Sequence, residues 1–221
     1  MAVHILKSRV IPVKRRLVGD AKRWLSRFMP YQASTADQTV FDAEYANGAW
    51  QCLRSVTELP RFSVITGYCQ HYKPFGAILD IGCGEGILQE NLSPARYQRY
   101  VGVDFSQEAI QLALSKQDEK TSFVHADART YVPAAAFDVI IFNECLYYFA
   151  DPLAVVRRYE PFLAPNGIYI VSMFAEQETV RTKFIWKMLA QVYPRAAETM
   201  VSTRARHRWF IKVFTPSRAN V

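Results

Sequence analysis

The chain has 221 residues, of which 50% are hydrophobic and 14% aromatic, so it can bury a sizeable core and is not a disordered chain. No apolar stretch is long enough to span a membrane and the N-terminus lacks a secretory signal, so we expect a cytoplasmic protein. The cysteines are scattered singly (Cys52, Cys69, Cys83 and Cys145), which excludes a zinc-ligand pattern; we expect reduced thiols and no metal site.

The positive charge is concentrated at the N-terminus. Residues 1–29 contain eight Lys/Arg and one acid, which equals the net charge of +7 of the whole chain. Apolar residues recur there at helical spacing, so we predict a basic amphipathic helical arm over residues 1–30. Such a helix packs on its own domain, lies on an anionic membrane surface or docks on a partner; the sequence leaves these readings open.

Residues 31–75 are predicted to form a helical cap, with one helix over residues 52–72. Phe41, Tyr45 and Trp50 surround Gly48, which permits a tight turn between two short helices. Tyr45 and Trp50 are candidates for a cover over a bound ligand; ordinary packing of the helices is the alternative.

From residue 76 to residue 221, strands alternate with helices, a pattern typical of a parallel sheet. The predicted strands are residues 77–82, 99–106, 121–127, 137–144 and 167–174, followed by two strands around a basic turn within residues 198–216. We therefore predict an α/β domain with a seven-stranded, mostly parallel Rossmann-like sheet. One antiparallel edge strand and helices on both faces complete the prediction.

The stretch "ILDIGCGEG", residues 78–86, follows the first predicted strand. Gly82 and Gly84 let the backbone turn sharply and let a ligand lie directly on it. Asp104 ends the next strand 22 residues after Gly82, where an acid can accept hydrogen bonds from a ribose diol. An adenosine-like ligand is indicated, and a dinucleotide satisfies these features equally well.

The details of the turn favour a cationic ligand. Its spacing is GxGxG and not the GxGxxG of dinucleotide sites, and Asp80 and Glu85 add two acids to it. Two acids repel a pyrophosphate, whereas they suit a sulfonium with an α-ammonium group. S-adenosylmethionine carries both groups.

Five stretches, "ILDIGCGEG", "YVGVDFS", "FVHADA", "FDVIIFNECLYYF" and "LAPNGIYIVS", resemble in order and spacing the motifs of class I S-adenosylmethionine-dependent methyltransferases. The resemblance covers about residues 76–174. It implies that Asp80 engages the methionine part and that the backbone of Gly82, Cys83 and Gly84 lies against the cofactor. It further implies these contacts: Asp104 with the ribose, Phe105 beside the adenine, Asp127 with the adenine amino group, the Ala128 backbone as a donor, and Asn143 near the transferred methyl.

The stretches "NECLYYF" and "FDAEYANGAW" are similar to those of methyltransferases that act on small molecules and sugars. This resemblance implies methylation of an oxygen or nitrogen of a small-molecule acceptor, such as a saccharide or a lipid-linked glycan precursor. Glu144 and Tyr147 are the catalytic candidates, Glu144 as a base or a holder of the acceptor and Tyr147 as a lining residue. Their alternatives are a helix-cap or ion-pair acid and a core aromatic.

Two other functions stay open from the sequence. RNA methylation is suggested by the basic arm and the turn "RARHR", although the neutral body makes nucleic acid an unfavoured partner. A non-catalytic partner subunit that binds the cofactor is suggested by the lack of an obvious base.

Overall fold

The computed structural model describes residues 37–175, 180–203 and 207–216, so the predicted basic arm lies outside the described residues. The strands are β1 Ala77–Ile81, β2 Arg99–Asp104, β3 Thr121–His125, β4 Phe137–Asn143, β5 Leu163–Phe174, β6 Arg195–Ser202 and β7 Arg208–Phe214. The α-helices are α1 Gln38–Ala46, α2 Leu59–Tyr72, α3 Ile87–Glu90, α4 Gln107–Ala113, α5 Pro152–Arg158 and α6 Val180–Val192. None of the helices in these ranges has the length and apolar character needed to cross a bilayer.

The seven strands form one sheet in the order β3-β2-β1-β4-β5-β7-β6. Strands β1 to β5 pair in parallel, and β7 pairs antiparallel with both β5 and β6. The predicted mostly parallel sheet is therefore confirmed. Among the described strands, β7 alone runs opposite to the others. It is the second strand from one edge of the sheet, because β6 pairs with its outer side and forms that edge.

Helices cover both faces of the sheet, as predicted. Strand side chains alternate between the faces, so Ile78 and Leu79 of β1 belong to two different core clusters. The first face packs against α2 and α4 through Phe62, Ile65 and Ile110, and the second packs against α5 and α6 through Val156, Ile185 and Leu189.

Side-chain caps begin the helices that follow the strand ends. Ser106 accepts a hydrogen bond from Ala109 N at the start of α4, and Asp151 accepts one from Ala154 N at the start of α5. Each cap of this kind stabilises a helix by about 1 kcal/mol. These two caps fix the residues at which α4 and α5 begin.

The segment before β1 is helical but interrupted. Gly48 has φ 75 and separates α1 from a 3-10 helix over Ala49–Arg54, and neither helix contains a buried residue. The single helix predicted over residues 52–72 is wrong at its start: α2 begins at Leu59. Pro60 is the cause, because proline has no N–H and fits only the first turn of a helix.

Candidate functional site

A cavity of about 720 Å³ opens at the carboxyl ends of the parallel strands, beneath the helical segment 37–54. Ligands of α/β sheets bind at this edge. The cavity is lined by every sequence-predicted site residue except Asp80: Tyr45, Trp50, Gly82, Cys83, Gly84, Asp104, Phe105, Asp127, Ala128, Asn143, Glu144 and Tyr147.

The glycine turn after β1 presents bare backbone to this cavity. Gly82 and Gly84 have φ angles of 72° and 55°, which residues with a side chain rarely adopt. A Cβ on Gly82 would lie 2.7 Å from Cys145 Cβ, and one on Gly84 would lie 2.5 Å from the Tyr45 hydroxyl. The amides of Gly82 and Cys83 both donate to the carbonyl of Val103, which ties the turn to the end of β2.

Asp104 is buried beside the glycine turn. Its two carboxylate oxygens accept hydrogen bonds from Gly84 N at 2.8 Å and Ser106 N at 2.9 Å. Burial raises the pKa of Asp104, although the backbone donors oppose the shift. Each oxygen keeps a further lone pair for a ligand hydroxyl, and Phe105 continues the cavity wall.

Asp127 is already engaged in the structure. Its carboxylate accepts from the Nε and Nη2 atoms of Arg129, and this hydrogen-bonded guanidinium lowers the pKa of Asp127. Ala128 is buried, and its carbonyl accepts from the Tyr159 hydroxyl at 2.8 Å. Arg129 also lines the cavity, so this end of the site carries a cation that the sequence analysis did not single out.

Asp80 lies outside the cavity lining. Strand alternation turns it toward the face covered by α2, where Oδ2 accepts from the Tyr100 hydroxyl at 2.6 Å. Its Oδ1 is buried and has no hydrogen-bond partner among the described residues. Burial raises the pKa of Asp80 to about 7 against the lowering effect of Tyr100.

Three aromatic residues of segment 37–54 form an aromatic cover over the glycine turn: Phe41, Tyr45 and Trp50. Trp50 stacks on Tyr45 with ring centroids 5.7 Å apart and on Phe41 at 5.8 Å. Tyr45 and Trp50 thus lie where the sequence analysis expected a cover. The indole Nε1 of Trp50 is buried without a partner in the described parts of the chain.

Polar contacts attach this cover to the domain. Arg54 pairs with Glu85 of the glycine turn at 2.7 Å and with Glu90 of α3 at 2.8 Å. Asp42 accepts a 2.6 Å hydrogen bond from Ser106, the cap of α4. The cover is therefore held at both ends by charged or polar side chains.

Arg61 of α2 is a site residue that the sequence analysis missed. It lines the cavity while only 2% exposed, and its guanidinium donates to Asn143 Oδ1 and, at 2.9 Å, to Glu58. Arginine has no acceptor, so the amide oxygen of Asn143 faces it and Asn143 Nδ2 stays available for a ligand. Arg61 Nε is buried without a partner among the described residues. The sequence did hold a signal for Arg61, because this arginine stands next to Phe62 and near Ile65, which are apolar core positions of the same helix.

Glu144 and Tyr147 are brought together at the end of β4. Glu144 accepts from Ser172 Oγ at 2.6 Å, from Phe174 N at 2.8 Å and from the Tyr147 hydroxyl at 3.1 Å. Its backbone has φ 60, which is uncommon for a residue with a side chain. Burial raises the pKa of Glu144, and the nearby charge of Arg61 opposes this shift. Within the described ranges, no cluster of three His, Cys, Asp or Glu side chains could hold a metal ion.

Comparisons with known proteins agree with this architecture. The family model described as "Methyltransferase domain" matches residues 15–214. A ubiquinone biosynthesis O-methyltransferase of Aromatoleum aromaticum is 33% identical over 95 residues, which is 41% of this chain and 40% of that protein. Nodulation protein S of Sinorhizobium fredii is 28% identical over 127 residues, 55% of this chain and 58% of that protein. The chain thus spans less than two thirds of these relatives.

Two solved structures share the fold. The N-methyltransferase NodS from Bradyrhizobium japonicum WM9, in complex with S-adenosyl-L-homocysteine, has a TM-score of 0.72 at 21% identity and covers 82% of this chain and 98% of its own. Magnesium protoporphyrin IX methyltransferase from Synechocystis PCC 6803, with bound S-adenosylmethionine, has a TM-score of 0.67 at 17% identity. It covers 85% of this chain and all of its own.

Proposed function

Because this chain belongs to the methyltransferase domain family, we propose that it transfers a methyl group from S-adenosylmethionine to an oxygen or nitrogen of a small-molecule acceptor. The observation that carries the proposal is the bare glycine turn facing a cavity beside a buried acid. Gly82 and Gly84 both line the cavity, and a ligand can approach their backbone closely because neither has a side chain.

The donors and acceptors of the cavity wall fit both ends of this cofactor. The free lone pairs of Asp104 suit the ribose hydroxyls, and Asp127, Phe105 and Ala128 line the space for the adenine. The methionine carboxylate needs donors, and Arg61 Nε and Asn143 Nδ2 are unspent donors on the same wall.

In its ionised form, which prevails above pH 7, the buried Asp80 carboxylate adds negative charge on the α2 side, and this charge favours the cationic α-ammonium group. Asp80 is outside the lining, so we assign it this role through the electrostatic field or a water molecule and not through direct contact.

The cofactor supplies a methyl carbon on a sulfonium: the acceptor's lone pair forms the new bond to carbon, the S–C bond breaks, and its electron pair stays on sulfur. The chain's own task is alignment, and well-oriented reactants gain on the order of 7–11 kcal/mol in favourable cases. Asn143, at the end of β4, and the aromatic cover hold the two reactants in the same enclosed space.

The acceptor must also lose a proton, and Tyr147 and Glu144 provide a path for it. The Tyr147 hydroxyl donates to Glu144, and we propose that the two side chains remove the proton in one concerted step. The acceptor O–H or N–H gives its proton to the Tyr147 oxygen as Tyr147 gives its own proton to Glu144, and burial of Glu144 favours its protonated form.

Binding and turnover measurements test this function. We expect saturable binding of S-adenosylmethionine and S-adenosylhomocysteine by calorimetry, and Tyr147→Phe should lower kcat by about 10²-fold with a hydroxyl acceptor. Tyr131→Phe, a half-buried tyrosine outside the cavity, is the control and should keep full activity. No binding of either compound refutes the proposal. Cofactor binding without product formation across a broad panel of hydroxyl and amino acceptors identifies a non-catalytic partner subunit instead.

A further inference from the structure

We propose that the acceptor is a flat, apolar molecule, an aromatic ring bearing a hydroxyl or amino group, that binds between α2, β5 and β7. This inference rests on the proposed function, since it concerns the half of the cavity that the cofactor leaves open. It departs from the expectation of a saccharide that the sequence resemblance raised.

The cavity extends beyond the residues assigned to the cofactor. Most of those residues follow β1 to β4, and Arg61, Tyr45 and Trp50 belong to the helical segment before β1. Leu53, Phe62, Tyr147, Phe174 and Trp209 also line the cavity, and three of them belong to α2, β5 and β7. We call these five residues the acceptor chamber. Asn143 lies at the end of β4, so the chamber adjoins the position expected for the methyl group.

Aromatic rings dominate the walls of the acceptor chamber. Phe174 and Trp209 are register neighbours on β5 and β7, with ring centroids 5.5 Å apart at an interplanar angle of 61°. Trp209 is 1% exposed and Phe62 is 3% exposed, so both are fixed by the core behind them. Rings pack on other rings edge-to-face or offset, so walls of this kind favour a planar aromatic guest.

The polar groups near the chamber are largely paired with one another. Arg61 donates to Glu58 and Asn143, and the Glu144 carboxylate accepts from three donors. The donors left over, Arg61 Nε and Asn143 Nδ2, are assigned above to the methionine carboxylate of the cofactor. A free saccharide would bring several hydroxyls to a wall with few remaining partners, and each buried hydroxyl without a partner weakens binding. A ring with a single nucleophilic heteroatom brings only one polar group to this wall.

Paired acceptors on the full chain test the inference. The aromatic probes are 4-propylphenol and 4-propylaniline; the saccharide probes are propyl glucoside and glucosamine. Methyl transfer from radiolabelled S-adenosylmethionine is measured for each, and binding of each to the protein saturated with S-adenosylhomocysteine is measured by calorimetry. We expect binding and methylation of at least one aromatic probe and of neither saccharide.

The substitution Phe174→Ala tests whether the acceptor binds in the acceptor chamber. Phe184 is an exposed phenylalanine of α6, so Phe184→Ala is the matched control. Phe174→Ala should raise KM for the aromatic acceptor about tenfold, because it removes one wall, and should change the S-adenosylhomocysteine Kd less than twofold. Phe184→Ala should change neither quantity.

The possible failures are distinguishable. Cofactor binding together with saccharide methylation, or with no binding of either aromatic probe, overturns the acceptor class and leaves the proposed function standing. An unchanged KM in Phe174→Ala overturns the location. Absence of cofactor binding overturns the proposed function and this inference together.

Discussion

Gly84→Ala should weaken cofactor binding as well as the stability of the ligand-free fold. Gly84 has φ 55, and an alanine in the left-handed region costs about 1–2 kcal/mol. The new Cβ would also lie 2.5 Å from the Tyr45 hydroxyl, so the Tyr45 ring must move from its stack on Trp50. Gly84 and Tyr45 both line the cavity, so the added methyl group and the displaced ring change the wall on which the ligand is expected to lie. We therefore expect a loss of affinity of tenfold or more for S-adenosylhomocysteine.

The assay is calorimetric titration with S-adenosylhomocysteine beside thermal unfolding of the ligand-free protein. Gly67→Ala is the matched control, because Gly67 lies within α2 and a Cβ there meets nothing within 4 Å. That change should stabilise the protein by about 0.5–1 kcal/mol and leave affinity unaltered. Wild-type affinity in Gly84→Ala would refute the idea that bare backbone at this turn receives the ligand.

Two further changes test the charges around the site. Asp80→Asn keeps an acceptor for the Tyr100 hydroxyl and removes a buried charge. The pKa of Asp80 is about 7 in the folded protein and about 3.9 in the unfolded chain, so the ionised carboxylate lowers the stability of the fold above pH 7. This loss of stability disappears as the pH falls toward 4, where the group is protonated in the folded state. The variant should therefore melt above wild type at pH 8 and with it near pH 4 in scanning calorimetry; equal melting at pH 8 contradicts the reasoning. Arg54→Gln removes the ion pairs with Glu85 and Glu90 and leaves the largely buried Glu85 carboxylate unpaired. It should therefore lower stability by about 1–3 kcal/mol and speed S-adenosylhomocysteine release several-fold at low salt. Stopped-flow dissociation measures this release, and an unchanged rate would exclude a role for Arg54 in holding the cover.

Local chemistry explains what could be predicted from the sequence. The glycine turn and the acid at the end of β2 each depend on residues within a few positions of one another. Asp104 could be placed because parallel strands bring their carboxyl ends to one edge of the sheet. The interruption before α2 was also local, and Pro60 was the signal that the sequence analysis did not use.

Contacts between distant segments explain what could not be predicted. From the sequence, Asp80 and Glu85 were both expected to present unpaired negative charge to a cationic ligand. In the structure Glu85 pairs with Arg54 and Asp80 lies outside the cavity lining, so neither acid presents an unpaired charge directly to the ligand. Arg61 was missed for the same reason, because its partner Asn143 is 82 positions away.

The order of strands places the two parts of the cavity on different segments of the chain. The proposed nucleoside contacts follow the first four strands, whereas the walls of the acceptor chamber come largely from α2, β5 and β7, the last strand in sequence. Substitutions in the chamber therefore leave the proposed nucleoside contacts unchanged. The choice of acceptor can be re-engineered in the chamber alone while the methyl donor is kept.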